Sequence, residues 1–194
     1  MNRIYCMMGK SSTGKDTLYK RILAREELGL KTIIPYTTRP IREGERNGVE
    51  YFFCDAERVE ELETEGKIIE RRDYHTVHGI WTYFTADDGQ IDLEKNDYLI
   101  IGTLESYQKI RDYYGKEVVV PIYIEVEDGE RLQRALNRER EQRVPKYEEM
   151  CRRFLADAKD FSEENLKLAE IHRRFINNDL AQTEKDIADY IKAC

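Results

Sequence analysis

A glycine-rich loop near the start of the chain, residues 9–15, has residue types and spacing that suit phosphate binding. Its sequence is Gly9-Lys10-Ser11-Ser12-Thr13-Gly14-Lys15, with a strand-like apolar segment before it and a helix-like segment after it. Glycines let the backbone curl until successive N–H groups point at one anion, and a following helix N-terminus favours negative charge. In such a loop the lysine extends to the β- and γ-phosphates of a nucleotide. The pattern predicts an ATP site, and its alternative is a plain glycine turn. The predicted contacts are Gly9, Ser11, Ser12, Thr13, Gly14, Lys15, Asp16 and Thr17.

The residue after Lys15 departs from the usual loop, in which a Ser or Thr hydroxyl at that place binds Mg²⁺. Here Asp16 stands there and Thr17 follows. Three interpretations stay open: Thr17 supplies the hydroxyl, the Asp16 carboxylate contacts the metal or one of its waters, or Asp16 only favours the helix N-terminus. We therefore expect Mg²⁺ to accompany ATP, with Thr17 and Asp16 as its candidate ligands.

A second segment, residues 36–53, has its arginines, proline and glycines in a recognisable order. From Thr37 to Phe53 its sequence is TTRPIREGERNGVEYFF. It resembles the acceptor-binding segment of guanylate kinases, with the approximate pattern T-T-R-x-P-R-x-G-E-x-x-G-x-x-Y-x-F. The glycine-rich loop precedes it in the family's order and spacing, and residues 175–180, FINNDL, are similar to the family's V-x-N-D-D-L strand end. The resemblance extends over nearly the whole chain, and it is weakest from Arg71 to Glu117.

The resemblance implies that Arg39, Arg42 and Tyr51 hold the phosphate of an acceptor, and that Glu70 contacts the edge of its base. The chemistry agrees, because arginine forks match phosphate oxygens and a carboxylate can accept from both N1–H and the amine of guanine. The alternative for the arginines is a set of surface ion pairs. The alternative for Glu70 is a solvated position on a strand.

Two further groups of contacts follow from the same resemblance. Tyr83 and Thr85 correspond to a Y-G-[ST] acceptor motif in which Phe84 replaces the glycine, with plain aromatic packing as the alternative. Arg138 and Arg153 correspond to arginines that close over the transferred group, with solvated helix faces as the alternative. The predicted catalytic residues are Lys15, Arg39, Arg42, Arg138 and Arg153.

The acceptor is less well defined, because two places depart from the guanylate kinase pattern. Pro35 stands where the family has a hydroxyl that helps to bind guanine O6, and Ile101 and Thr103 stand where it has an acidic pair. GMP or dGMP is the favoured acceptor. The G-K-D-[ST] form of the loop and His78-Gly79 are also similar to ribose bisphosphate kinases, which phosphorylate a sugar phosphate. A non-catalytic guanylate-kinase-like module that binds phosphoproteins is the third possibility.

The elements that must position these residues alternate along the chain, as in an α/β fold with a mainly parallel sheet. Strands are predicted at 3–8, 31–34, 50–54, 67–74, 78–84, 97–101, 118–125 and 171–177. Helices are predicted at 15–27, 55–65, 106–114, 128–140, after Pro145 and at 181–192. Residues 35–48 are predicted to form a loop. The predicted inward faces carry Leu132, Ala135 and Leu136 on one helix, and Met150, Phe154, Ala158 and Phe161 on the next.

The resemblance implies a P-loop nucleotide kinase: one guanylate-kinase-like domain, 1–194, whose central parallel sheet is flanked by helices. It also implies a small β-rich acceptor-binding subdomain and a helical lid. We expect the core to comprise 1–34, 97–137 and 147–194, the subdomain 35–96 and the lid 138–146.

Composition limits the other partners. A net charge of −7 argues against nucleic acid or an anionic membrane as the main partner. No apolar run approaches the ~20 residues of a membrane span, and the first apolar run is too short for a signal peptide. The four cysteines are far apart, which favours a reducing, cytoplasmic location. A monomer and a homodimer are both compatible with the sequence.

Overall fold

A computed structural model describes residues 2–76 and 79–194 of the chain. His78, at which a strand was predicted to begin, lies outside the described residues, so the predicted His78-Gly79 pair is described only at Gly79. The strands are β1 (Ile4–Met8), β2 (Lys31–Thr32), β3 (Tyr36–Thr37), β4 (Phe52–Phe53), β5 (Ile68–Thr76), β6 (Gly79–Ala86), β7 (Tyr98–Ile101), β8 (Val119–Glu125) and β9 (Arg174–Ile176). The helices are α1 (Lys15–Leu23), α2 (Ala56–Thr64), α3 (Leu104–Tyr114), α4 (Asp128–Arg140), α5 (Tyr147–Asp160), α6 (Glu163–Leu168) and α7 (Leu180–Ala193).

The central sheet has five parallel strands in the order β2-β7-β1-β8-β9. Its middle strand, β1, is buried along its whole length, as expected for a parallel strand covered on both faces. Successive side chains of β1 enter two separate cores, with Cys6 in one and Tyr5 and Met7 in the other. The predicted α/β fold with a parallel sheet flanked by helices is therefore confirmed.

Helices cover both faces of this sheet. On the Tyr5 side, α1 contributes Leu18 and α7 contributes Ile187 to the core. On the Cys6 side, α3 contributes Ile110 and α6 contributes Leu166. This layering places the carboxyl ends of β1, β7, β8 and β9 at one edge, where ligands bind in open α/β sheets.

A second sheet has the order β4-β3-β6-β5 and takes all its strands from residues 36–86. Its longest pairing is the antiparallel hairpin of β5 and β6, in which Glu70 lies opposite Thr85 and Arg72 opposite Tyr83. The sheet packs on α2 around a small core of its own. The buried residues of this core are Tyr36, Val59, Leu62, Phe84 and Ala86. This arrangement agrees with an acceptor-binding subdomain at 35–96, which we retain as a proposal.

Several element boundaries differ from the sequence-based expectation. The predicted loop 35–48 contains β3, whose two residues are too few to show a strand period. The predicted helix 15–27 ends at Leu23, and a short 3₁₀ turn, Glu26–Leu28, follows. Helix α6 was not predicted, because its six residues span fewer than two turns. Among the described residues, none of the helices has the length and apolar content needed to cross a bilayer.

The inward faces of α4 and α5 also differ from the prediction. Leu132 is exposed, and Arg131 is buried beside Ala135 instead, because its charge is paired inside the protein. On α5, Ala158 is exposed and Asp157 lies on the partly buried face. A hydrophobic pattern alone cannot detect a buried ion pair, since it assigns charged residues to the surface.

We expect Phe84→Ala to lower the free energy of unfolding by about 3–5 kcal/mol, because it leaves a cavity in the small second core. Phe84 is fully buried and stacks on Tyr36 with ring centroids 4.9 Å apart. Urea denaturation measures the change. Ile80→Ala is the control on the same strand: its side chain is 56% exposed, so it should cost far less. Equal losses for the two variants would contradict the described core.

Candidate active site

The glycine-rich loop joins the carboxyl end of β1 to α1, and its two glycines are required by close contacts. A Cβ on Gly9 would lie 2.5 Å from the carbonyl oxygen of Ile124. Gly14 has a φ of +82°, and a Cβ there would lie 2.6 Å from Nδ2 of Asn177. Both positions therefore exclude a side chain, and the loop backbone packs directly on β8 and on the end of β9.

Hydrogen bonds from within and outside the loop hold its curled conformation. Thr13 Oγ1 donates to the carbonyl oxygen of Lys10 at 2.8 Å, and Asn177 Nδ2 donates to that of Thr13 at 2.7 Å. Lys10 Nζ forms an ion pair with Asp128 at 3.2 Å. The loop is thus held by Asn177, directly after β9, and by the start of α4.

The loop residues fit a phosphate chain with its metal. Ser12 has a φ of +64°, and its Oγ is buried without a hydrogen-bond partner in the described part of the chain. Such an unsatisfied polar atom next to a helix N-terminus suits an anionic ligand. Lys15 is partly buried, whereas Asp16 and Thr17 are exposed on the first turn of α1. Both oxygen-bearing side chains are thus accessible to a metal ion at the mouth of the loop.

A buried arginine, Arg131, attaches α4 to the loop. It is 1% exposed, donates from Nη1 to the carbonyl oxygen of Ser11 at 3.0 Å, and donates to Asp128 from Nε and Nη2 at 3.0 and 2.9 Å. Its guanidinium carbon lies 4.4 Å from the centre of the Phe154 ring. Asp157 on α5 accepts the Ser11 N–H at 2.7 Å and lies 3.6 Å from Arg131 Nη1. Both helices that flank residues 141–146 therefore contact the loop at Ser11.

The two predicted lid arginines lie on the same side of the loop. Arg138 and Arg153 are exposed and line a narrow cleft together with Ser11 and Ser12. Arg153 Nη2 also lies 3.3 Å from Ser11 Oγ. A wider cleft of about 420 Å³ lies beside Lys10, and its lining includes Thr13, Tyr123, Glu125 and Asn178.

The predicted acceptor contacts lie on or beside the second sheet. Together with one unpredicted arginine they form what we call the acceptor face: Arg39, Tyr51, Glu70, Arg72, Tyr83 and Thr85. The β5–β6 register places Glu70 beside Thr85 and Arg72 beside Tyr83. The Tyr51 and Tyr83 rings meet edge to face at 5.6 Å.

Arg39 is buried, with 3% of its surface exposed, and Glu45 holds the end of its guanidinium. The Nη1 and Nη2 atoms lie 2.9 and 2.8 Å from the two carboxylate oxygens, and this pairing raises the pKa of Arg39 and lowers that of Glu45. The Nε atom is buried and has no acceptor within the described residues. The Nε hydrogen on the side edge of the guanidinium is therefore a buried donor that these residues leave unpaired. Arg42, by contrast, is exposed, and its backbone N–H donates to Glu45 at 2.8 Å.

Glu70 is 2% exposed, so the alternative of a solvated strand position is excluded. Its carboxylate accepts from Thr85 Oγ1 at 2.9 Å and from Arg72 Nε and Nη2 at 2.8 and 3.1 Å. Burial lowers the pKa of Arg72, the charge and hydrogen bonds of Glu70 raise it, and the balance is a raised pKa. Burial raises the pKa of Tyr51, as does Tyr83, while Arg39 and Arg72 act to lower it. The acceptor face thus carries two fixed positive charges close to one tyrosine hydroxyl.

A family model described as guanylate kinase matches residues 1–194 of the chain. The chain belongs to the guanylate kinase family. Among its relatives is a guanylate kinase of Neisseria meningitidis serogroup A, which is 31% identical over 193 residues, covering 98% of this chain and 87% of the relative. A guanylate kinase of Nitrosomonas europaea is 26% identical over 200 residues, covering 100% of this chain and 90% of the relative. Guanylate kinase from Anaplasma phagocytophilum shares the fold, with a TM-score of 0.65 at 22% identity over 99% of this chain and 85% of that chain.

Two features of this guanylate kinase family member were not found from its sequence. The sequence did not predict the contact between Arg131 and Asp157, because they lie 26 residues apart on different helices. Only folding brings the two side chains to Ser11. The role of Arg72 beside Glu70 was not predicted either. Arg72 follows Glu70 by two residues, and this spacing places both side chains on one face of a strand. The two-residue spacing could therefore have indicated the Glu70–Arg72 pair. The sequence holds no comparable local signal for the contact between Arg131 and Asp157.

We expect Arg131→Met to lower the free energy of unfolding by about 3–5 kcal/mol, because it leaves the Asp157 and Asp128 carboxylates without their buried partner. It should also weaken ADP binding, since Ser11 loses one of its two attachments. Thermal unfolding and calorimetric titration with ADP measure the two effects.

Arg140→Met is the matched control, because Arg140 is an exposed arginine on the same helix, and its effect should stay within about 0.5 kcal/mol. An Arg131→Met protein as stable as the parent would show that the pair is not structural.

Proposed function

We propose that this chain transfers the γ-phosphoryl group of ATP to the phosphate of GMP or dGMP, producing ADP and GDP or dGDP. The observation that carries the proposal is the glycine-rich loop at the end of β1 together with two carboxylate-paired arginines, Arg39 and Arg72, in a chain of the guanylate kinase family. Relatives named guanylate kinase align with nearly its whole length. Phosphoryl transfer needs two phosphorylated ligands held together, and the chain has one cationic site for each.

The donor nucleotide is held at the loop. The N–H groups of residues 12–16 and the Lys15 ammonium surround its β- and γ-phosphates, and Ser12 Oγ gains the partner that it lacks. The cleft of about 420 Å³ beside Lys10 has room for the nucleoside part of ATP. Its lining includes the Asn178 amide, which suits hydrogen bonding to a base.

Mg²⁺ fits the mouth of the loop, where the Asp16 carboxylate and the Thr17 hydroxyl are both exposed. When bound there, the ion would neutralise negative charge on the phosphate oxygens of the nucleotide. Thr17 is one helical residue further along than the usual hydroxyl, so we assign Asp16 to the metal's water shell and Thr17 to a direct contact. Both assignments belong to this proposal.

The acceptor phosphate is held by Arg39, Tyr51 and Arg42. Glu45 occupies the end of the Arg39 guanidinium and leaves its side edge free, so Glu45 orients the arginine toward the phosphate. Arg42 is exposed and reaches the phosphate when residues 38–46 close over it. Charge-assisted bonds of this kind are about twice as strong as neutral ones.

The transfer itself needs positioning and positive charge more than acid–base help. The acceptor phosphate is already ionised, so no general base has to remove a proton before its oxygen attacks. Arg138, in the proposed lid 138–146, and Arg153, which follows the lid, close over the migrating group and exclude water that would hydrolyse ATP. Arg153 already contacts Ser11 of the loop.

A coupled ADP-release assay across the nucleoside monophosphates and ribose 1,5-bisphosphate tests the function. Turnover with GMP or dGMP supports the proposal. Turnover with the sugar bisphosphate alone would assign the chain to sugar-phosphate phosphorylation. Absence of turnover with phosphopeptide binding retained would assign it to the non-catalytic binding modules.

We expect Lys15→Ala to lower kcat for ADP release by about 10²- to 10³-fold, because one donor to the charge of the transition state is removed. The fold should be unchanged, since among the described residues the Lys15 side chain has a single ion pair, a distant one of 4.0 Å with Asp16. Circular dichroism checks the fold. Lys20→Ala removes an exposed lysine from the same helix and should leave the rate unchanged. A near-normal rate for Lys15→Ala would remove the loop from the mechanism.

We expect Arg39→Lys to raise the KM for the acceptor by about 10- to 100-fold, because an ammonium cannot bind Glu45 and a phosphate through two separate edges. The KM for ATP should change little. Arg46→Lys is the control in the same segment, where the arginine is exposed. A larger effect on the ATP constant than on the acceptor constant would place Arg39 in the donor site.

A further inference from the structure

Arg72 and Glu70 form a buried pair in which the carboxylate is already largely occupied. A carboxylate has about four acceptor positions, and Arg72 and Thr85 use three of those on Glu70. The Glu70 side chain is 1% exposed. To bind the N1–H and the 2-amine of guanine together, Glu70 would need two free positions and solvent access. It has one free position and is covered by Arg72.

Arg72 itself keeps unused hydrogen-bond donors. A guanidinium has five N–H groups, and Arg72 uses its side edge, Nε and Nη2, on Glu70. One Nη1 hydrogen faces Thr103 Oγ1 across a long contact of 3.4 Å. The contacts with described residues therefore leave one hydrogen on each terminal nitrogen. These two hydrogens form the end fork of the guanidinium, which suits two neighbouring acceptor atoms.

The Arg72 guanidinium lies between the second sheet and the carboxyl edge of the central sheet, the edge at which ligands bind in open α/β sheets. Arg72 extends from the second sheet toward Thr103, which follows β7 at the carboxyl edge of the central sheet and caps α3. Its side chain is 14% exposed, so the fork remains accessible to a ligand. The charged and titratable groups that act on it are Glu70, Glu105 and the Tyr74 hydroxyl. Arg39, the proposed phosphate contact, shares the acceptor face with Arg72 and also acts on Tyr51.

We propose that Arg72 is a specificity-determining residue that binds the O6 and N7 atoms of a 6-oxopurine with its end fork. Glu70 is then the positioning residue that holds Arg72, and it does not contact the 2-amine. This inference rests on the proposed phosphoryl transfer to a purine monophosphate.

The donors and acceptors at positions 6 and 7 of the purine ring determine which nucleoside monophosphates this site would bind. Guanine presents two acceptors, O6 and N7, and arginine is their commonest specific partner. Hypoxanthine presents the same two atoms and lacks only the 2-amine. Adenine presents an amine donor in the place of O6, which faces the arginine donors unfavourably. GMP and IMP should therefore be accepted alike, and AMP should be rejected.

The test compares kcat/KM for GMP, IMP and AMP in the parent, Arg72→Lys and Glu70→Gln. In the parent we expect GMP and IMP within about 10-fold of each other. Arg72→Lys keeps the charge and loses the fork, so both constants should fall by about 5- to 150-fold, mainly through KM. Glu70→Gln should lower both by a similar factor and leave their ratio unchanged.

Arg71→Lys is the matched control. Arg71 is the adjacent arginine of β5 but faces away from the site, where it pairs with Glu63 and Asp73. It should leave all three constants unchanged. Thermal unfolding of each variant checks that the fold is retained, and calorimetric binding of GMP and IMP provides a second measurement that does not depend on turnover.

The outcomes separate the two proposals. A parent that prefers GMP over IMP by more than 100-fold, with Glu70→Gln abolishing that preference, would show that Glu70 binds the 2-amine and would overturn the inference while the proposed function stands. Unchanged constants in Arg72→Lys would overturn it as well. Binding of GMP and IMP that is weakened in Arg72→Lys, without any turnover in the parent, would retain the inference and reject the proposed function. A parent that binds neither nucleotide would reject both.

Discussion

An arginine can be buried in this protein only where a carboxylate accompanies it, because an isolated buried charge costs several kcal/mol. Arg39 with Glu45, Arg72 with Glu70 and Arg131 with Asp128 all satisfy this constraint. The pairing fixes each guanidinium in one orientation. What distinguishes the three is which donors remain after pairing, and this decides whether an arginine serves structure or ligand binding.

Arg131 has few donors left, since the Ser11 carbonyl oxygen and Asp128 account for all three of its nitrogens. It therefore acts on the phosphate loop by holding its backbone. Arg39 and Arg72 each bind a carboxylate along one edge, the end of the guanidinium for Arg39 and its side for Arg72. Each has one further contact from Nη1, to the Pro40 carbonyl oxygen and to Thr103 Oγ1 respectively. A protein with a net charge of −7 can in this way present local positive charge to two anionic ligands.

The sequence was sufficient for features that are local. The glycine-rich loop, its flanking strand and helix, and the order of α and β elements follow from spacing within about 20 residues, and the fold class was confirmed accordingly. The Arg131–Asp157 contact could not be predicted, because a hydrophobic pattern assigns charged residues to the surface. The hydrogen bonds of Glu70 could not be predicted either. The motif identified its position, but the bonds that its carboxylate accepts from Arg72 and Thr85 depend on the pairing of strands in the folded sheet.

The departures at Pro35 and at Ile101 and Thr103 can be understood together once Arg72 is considered. The family resemblance expects a hydroxyl at position 35 as a donor to O6, and proline has none to offer. The same resemblance expects acidic acceptors at 101 and 103, and an arginine at position 72 would be held too strongly by them to keep its fork free. With Ile101 and Thr103 in their place, the Thr103 hydroxyl makes a long contact of 3.4 Å with Arg72 Nη1, and no carboxylate at 101 or 103 competes for the fork. The role proposed for Arg72 therefore relates all three differences: the arginine would supply the O6 donor that Pro35 lacks, and the absence of carboxylates at 101 and 103 would leave its fork for the carbonyl side of a purine.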